Sequence, residues 1–316
     1  MTVIRENILA NTQVKDKYLE GVRLLDEERQ GITAQDLFDF IQRNNLNMSL
    51  SGIQQELSTY DLFVFWHVTA MQISLPVGNA AHNGPIFLPW HRMYLRRFEE
   101  NLQRVLQDDE FALPYWDWAA DGELDVNDQW RTQLWSEDYL GEARGTVRSG
   151  VLSNIQVRLA QDPLGNGIVS IDPRPVERAA GMSAGVPDLP SQAQLQVALD
   201  EPDYDREPWS NSVRSHRNIL EGWFNGPSLH NRVHVWIGRD MSLGTSPNDP
   251  AFFLNHCFVD RVWEIWMAEH GRNYAPQSGE GPEGHRIDSQ MVALLGESLT
   301  PQDVLEADDW YVYDNA

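Results

Sequence analysis

Six of the nine histidines in this 316-residue chain fall into two groups of three: His67, His82 and His91, then His230, His234 and His256. Histidine offers a neutral ring nitrogen to a metal near neutral pH, and outside metal sites it has little reason to gather in threes. Each group is an all-nitrogen set with no cysteine or carboxylate in it, and such a set suits copper or zinc. The chemistry expected is that of two adjacent metal ions. His230 and His234 stand four residues apart, so on a helix both rings leave the same face. Asp260 follows His256 by the same interval and is expected to orient a ligand or its neighbour. His216, His270 and His285 have no such partners and are assigned to surface or helix-end roles.

The elements that must position these residues read as mainly α-helical. Residues 12–28 and 32–43 have amphipathic periodicity, and a third helix is predicted from about Ser58 to Met71. Residues 73–89, with three prolines and two glycines, read as a loop carrying His82. A helix from Trp90 to Gln107 starts next to His91, with Met93, Leu95, Phe98, Leu102 and Val105 on its apolar face. Residues 119–190 lack helical period and are expected to be irregular with a few short strands. Helices resume over Ser191–Asp200, Ser212–Phe224 and Leu229–Trp236, and a last long one runs from Pro250 to about His270, capped by Asn248 or Asp249. Two pairs of helices then hold the two histidine groups, which predicts a four-helix core with the metals between them, in a single domain over residues 1–316.

Composition bounds the remaining possibilities. At 41% hydrophobic residues with 12 tryptophans, the chain has ample material for a buried core, which excludes wholesale disorder. A net charge of −23 argues against nucleic acid and anionic membrane surfaces as partners. No apolar run approaches the roughly 20 residues of a membrane span. The N-terminus lacks the basic and apolar regions of a classical signal peptide, which leaves the compartment open with the cytoplasm favoured. A single cysteine, Cys257, rules out an intramolecular disulfide framework.

Four segments carry a family resemblance: Phe87-Leu-Pro-Trp-His91-Arg, Leu113-Pro-Tyr-Trp-Asp-Trp118, His230-Asn-Arg-Val-His234, and Asp249-Pro-Ala-Phe-Phe-Leu-Asn-His256-Cys-Phe-Val-Asp260-Arg. Together they resemble the type 3 copper proteins, and among these the compact bacterial tyrosinases. The resemblance implies a four-helix bundle around a dicopper centre, with His67, His82 and His91 on one copper and His230, His234 and His256 on the other. It implies ortho-hydroxylation of monophenols and oxidation of ortho-diphenols to ortho-quinones by O2. Small phenols and O2 would be the partners, with a separate copper-loading protein as in some bacterial relatives. It also implies a proton-removing pair: Glu221, nine positions before His230, and Asn231, just after it, would hold a water that takes the phenol proton. A phenol with a pKa near 10 needs such a base to bind as phenolate.

By the same resemblance Phe252 packs over a copper-bound imidazole, and Val235 and Leu243 line the substrate entrance. Arg5 and Tyr313 would form a cation–π clasp between the chain ends. The chain departs from many relatives at Asn255, where they carry a histidine; this is expected to alter the pocket edge and the preferred substrate. Ala80 replaces the cysteine that some relatives attach to the loop histidine, and Cys257 is expected to pack as a small buried residue. No C-terminal lid domain is visible in the sequence. An ortho-aminophenol oxidase or a catechol oxidase of the same fold is the near alternative. An O2 carrier and a dizinc hydrolase are the distant ones.

Overall fold

Five of the six clustered histidines lie on four helices, and local signals in the sequence set where those helices begin and end. The computed structural model describes residues 2–162 and 167–314. The helices are α1 (Thr12–Glu27), α2 (Ala34–Arg43), α3 (Thr59–Gln72), α4 (Phe87–Leu106), α5 (Trp118–Asp121), α6 (Gln192–Leu199), α7 (His216–Glu221), α8 (Leu229–Ile237), α9 (Ala251–His270) and α10 (Pro301–Val304). The strands are β1 (Val3–Arg5), β2 (Arg29–Thr33), β3 (Ser49–Gly52), β4 (Glu56–Ser58), β5 (Arg144–Thr146), β6 (Gln156–Gln161), β7 (Gly167–Pro175), β8 (Glu177–Ala179) and β9 (Tyr311–Tyr313).

The α3 start is a capping box: Ser58 accepts from the Asp61 amide, and the Asp61 carboxylate accepts from the Ser58 amide. The α4 helix starts at Phe87, earlier than predicted, because Pro89 sits in its first turn. An amide there has no intrahelical partner, so proline is tolerated. For α9, the Asp249 carboxylate accepts from the Ala251 amide at 3.0 Å and is itself gripped by Arg178 at 2.6 and 2.7 Å. The α7 helix is shorter than the predicted 212–224. The Asn218 amide binds the Val213 carbonyl at 2.6 Å, which holds the preceding turn outside the helix. Gly222, at φ +99°, then ends it, and a Cβ there would stand 1.9 Å from the Ser228 carbonyl oxygen.

The sheets are small and peripheral. β3, β7 and β6 form a three-stranded sheet with β7 in the middle, while β2–β4 and β5–β8 are antiparallel pairs. The predicted irregular stretch 119–190 thus holds four strands, one of nine residues, and residues 163–166 of it lie outside the described ones. β1 and β9 pair in parallel, Arg5 opposite Tyr313, and bring the two chain ends together.

Those ends are fastened to the helical core by a buried ionic knot. Asp260 of α9 accepts from Arg92 of α4 at 2.6 Å, from the Tyr311 and Tyr313 hydroxyls at 2.5 and 2.7 Å, and from Arg5 at 3.3 Å. Arg5 also donates to Glu99 at 2.9 Å. Burial pushes the Asp260 carboxyl up, but Arg92 and Arg5 outweigh it, so the group lies below the ordinary carboxylate range. The expected cation–π clasp is present and wider than predicted: the Arg5 guanidinium lies 5.8 Å from the Tyr313 ring centre, bonds its hydroxyl at 3.1 Å, and lies closer still, at 3.4 Å, to the Tyr311 ring centre. The role expected for Asp260 at the metal ligands is corrected accordingly, since its bonds go to two arginines and two tyrosines. Removing one member leaves buried charge unpaired, so Asp260→Asn should lower unfolding stability by about 3–5 kcal/mol in urea titration. An unchanged midpoint would show the knot to be idle.

Candidate metal centre

Six imidazoles meet at the centre of α3, α4, α8 and α9. His67 comes from α3, His91 from the second turn of α4, His230 and His234 from one face of α8, and His256 from α9. His82 comes from the loop before α4. Within each group of three, one ligand atom per ring lies within 4.8 Å of the others. The groups touch: His91 and His256 stack at 4.2 Å between ring centres.

The backbone decides which nitrogen each ring offers. Nδ1 donates to the Gly244 carbonyl in His67 (2.7 Å), to Phe87 in His91 (2.8 Å), to Glu221 in His230 (3.1 Å) and to Met241 in His234 (2.7 Å). A carbonyl can only accept, so these four rings carry their proton on Nδ1 and present a lone pair at Nε2. The Nε2 atoms of His67 and His91 are buried with no hydrogen-bond partner. Those of His230 and His234 both face His256 Nε2, at 3.0 and 3.3 Å. Unpartnered buried Nε2 atoms on His67 and His91, and three Nε2 atoms crowded together with at most one proton among them, are an arrangement a cation would satisfy. The donor set therefore fits two metal ions held by three imidazoles each.

Burial and the neighbouring rings keep all six neutral. Desolvation is the largest cause in every case, and it pushes His67 down to about 3 and His234 to about 4. His82, His91, His230 and His256 are likewise held well below the ordinary range, with nearby histidines adding to burial.

The His82 loop is fixed from three sides. Asn79 Oδ1 accepts from the Ala81 and His82 amides at 3.0 and 2.8 Å. His285, fully buried, accepts from the Ile86 amide and donates to the Val77 carbonyl at 2.6 Å. It therefore braces the loop, and neither a surface nor a helix-end role fits it; His216 does start α7, though it is buried, stacked 4.6 Å from the Trp266 ring. On the third side, Glu221 Oε1 accepts from the Asn83 amide at 2.7 Å.

Glu221 is fully buried, and its Oε2 accepts from Arg217 at 3.0 Å, with Arg217 also paired to buried Asp205 at 2.7 Å. Burial raises the Glu221 carboxyl above its ordinary range, while Arg217 and the Asn83 amide pull the other way. Asn231 lies beside the ring of His230, its Oδ1 3.1 Å from Nδ1.

A cavity of about 450 Å³ opens over this centre, lined among others by His67, His82, His230 and His234, with Asn231, Val235 and Leu243 where the sequence placed them. Glu221 does not line it but reaches its wall through Asn83. Phe252 is buried below, 4.1 Å from the His256 ring centre, as expected of an aromatic packed over a ligand. Asn255 is fully buried, its amide atoms have no hydrogen-bond partner, and it is absent from the cavity lining. Its side chain therefore does not form the pocket edge it was expected to alter. Cys257 is buried with Sγ 3.4 Å from the Leu113 carbonyl oxygen, and burial pushes its thiol up to about 12. Sequence reasoning passed over Arg217, although it stands four residues before Glu221 on one helical face. It also missed Asn79, Asn83 and Trp223, of which Asn79, three residues before His82, and Asn83, in an Asn-Gly pair, carried turn signals.

Residues 57–269 match the family described as the common central domain of tyrosinase. A tyrosinase from Streptomyces lincolnensis is 37% identical over 266 residues, covering 83% of this chain and 91% of that protein. A grixazone synthase from Streptomyces griseus is 34% identical over 293 residues, covering 81% and 90%. Among solved structures, a polyphenol oxidase from Thermothelomyces thermophila superposes with a TM-score of 0.71 at 19% identity, over 99% of this chain and 89% of that one. No described helix is long and apolar enough to cross a membrane.

A histidine whose folded pKa lies below its unfolded value resists protonation, so the unfolded chain binds more protons between about 6.5 and the folded value. Stability then falls as pH drops through 6.5. For His67 that window reaches down to about 3. In metal-free protein, His67→Asn should therefore lose less melting temperature between pH 7.5 and 5 than the parent does. Equal losses would show that His67 is not held neutral by the fold.

Proposed function

The chain belongs to the tyrosinase family, and from that premise we propose that it ortho-hydroxylates monophenols and oxidises ortho-diphenols to ortho-quinones with O2. One monophenol and one O2 give one quinone and one water. Two diphenols and one O2 give two quinones and two waters. His67, His82 and His91 would hold one copper ion and His230, His234 and His256 the other. Bound there, the coppers would supply O2 activation and electron acceptance, and imidazole suits both copper oxidation states.

The observation that carries this reading is the open cavity set directly against the histidine rings, which admits a phenol ring to within reach of both groups. A carrier that only stores O2 has no need of it. Val235 and Leu243 supply apolar contact for the aromatic ring. Glu221 and Asn231 supply the proton acceptor, with a water between them and the entering hydroxyl. The Glu221 carboxylate keeps acceptor capacity beyond that used by Asn83 and Arg217, and its burial makes it a stronger base than a surface glutamate. Asn255, buried away from the lining, gives the ortho-aminophenol alternative no support from the cavity.

Two further parts belong to the same reading. The buried apolar side chains from Val3 to Tyr313 form one continuous cluster, which supports a single catalytic domain. Copper must pass the substrate cavity to reach rings this deeply buried, which supports delivery by a small accessory protein.

Copper-loaded protein should consume O2 and form quinone from 4-methylphenol and 4-methylcatechol, and zinc-loaded protein should do neither. Faster turnover of an aminophenol acid than of any phenol would move the assignment to the alternative. Glu221→Gln should slow 4-methylphenol hydroxylation by about 100-fold or more while leaving 4-methylcatechol oxidation within a few-fold. An equal loss on both substrates would mean that Glu221 acts only by holding the His82 loop.

A further inference from the structure

Beside the cavity over the histidines lies a second cavity of about 620 Å³, and Met71, Asn83 and Trp223 line both. The outer cavity is otherwise lined by Ser74, Asn79, Ser210 and Asn211 with the loop residues Pro76 to Gly78. Trp223 is 44% exposed, although most tryptophans of this chain are buried, and it stands at the junction. Neither lining contains an aspartate, glutamate, lysine or arginine.

We propose that the outer cavity is a subsite for a neutral, polyhydroxylated substituent, so that the enzyme takes phenolic glycosides with the phenol at the metals and the sugar against Trp223. This rests on the phenol-oxidising reading above. A pyranose presents an apolar C–H face, which packs on an exposed aromatic ring, and a rim of hydroxyls, which amide and hydroxyl side chains satisfy. Asn79, Asn83, Asn211, Ser74 and Ser210 supply such groups around the indole. A zwitterionic tail such as that of free tyrosine would find no counter-charge in either lining. Since Met71, Asn83 and Trp223 line both cavities, the proposal places the para substituent of a bound phenol across this shared lining.

The copper-loaded enzyme is assayed on 4-hydroxyphenyl β-D-glucopyranoside, N-acetyltyrosinamide and 4-methylphenol, with Trp223→Ala, Trp223→Phe and Asn211→Leu beside the parent. Trp223→Ala should raise the glucoside KM about threefold to tenfold relative to the 4-methylphenol KM, with the ratio of kcat values unmoved. Trp223→Phe, which keeps a ring but loses the N–H, should restore most of the difference. Asn211→Leu, altered only in the outer cavity, should raise the glucoside KM alone. KM values that shift in parallel for all substrates, or a Trp223 dependence seen with N-acetyltyrosinamide and not with the glucoside, would overturn the sugar subsite. Phenyl β-D-glucopyranoside, which has no phenolic hydroxyl, supplies a second readout by calorimetry on metal-free protein. Saturable binding weakened by Trp223→Ala supports the subsite, and no binding refutes it. Failure to oxidise any phenol would instead refute the reading beneath it.

Discussion

The structure depends on keeping six imidazoles neutral and aimed inward at the floor of a cavity. Unpaired ring nitrogens in a buried core are destabilising, and protonating them there is worse. The chain meets this demand by fixing tautomers with its own backbone: four rings give their Nδ1 proton to a carbonyl and turn the opposite lone pair toward the centre. The carbonyls belong to the turns around the ligand helices, to Gly244, Phe87, Glu221 and Met241. The direction of each ring is thereby tied to the course of the main chain.

That tie transfers the burden to whatever holds the helices. The α4 and α9 helices, which bring His91 and His256 into contact, are joined farther along by Arg92 and Asp260. The same aspartate collects Arg5 and the tyrosines of the C-terminal strand, so the chain ends brace the helix pair that carries one ligand of each group. On the other side, Arg217 and Glu221 link α7 to the loop of His82, and the Glu221 carbonyl orients His230. One residue thus touches the supports of both groups, so the proposed base is also a structural link.

The two histidine groups were legible because histidine is the side chain that offers a neutral nitrogen donor near neutral pH, and H-x3-H puts two such donors on one face of α8. The four-helix core followed from the same pattern. The details that went astray were set by tertiary partners the sequence does not order. His285 reads as an isolated histidine until the fold brings Val77 and Ile86 to its two nitrogens. Asp260 sits at a ligand-like interval from His256, yet Arg92 and the chain ends claim it. Tyr311 and Tyr313 stand two residues apart on one face of β9, and only the folded strand pair shows that the Tyr311 ring lies closer to Arg5 although Tyr313 is its register partner. The α7 boundaries were misjudged because side-chain bonds from Asn218 to the preceding turn compete with helix propagation.

The central claim is that the two histidine groups form one coupled two-metal centre, and electron paramagnetic resonance tests it most directly. Protein loaded with two copper(II) ions per chain is spin-counted at low temperature and compared with its copper content. Adjacent ions that share a bridging ligand pair their spins, so the account predicts a signal far smaller than the copper present. A signal of two independent spins per chain would show that the six histidines hold separate, uncoupled ions, and would contradict the account.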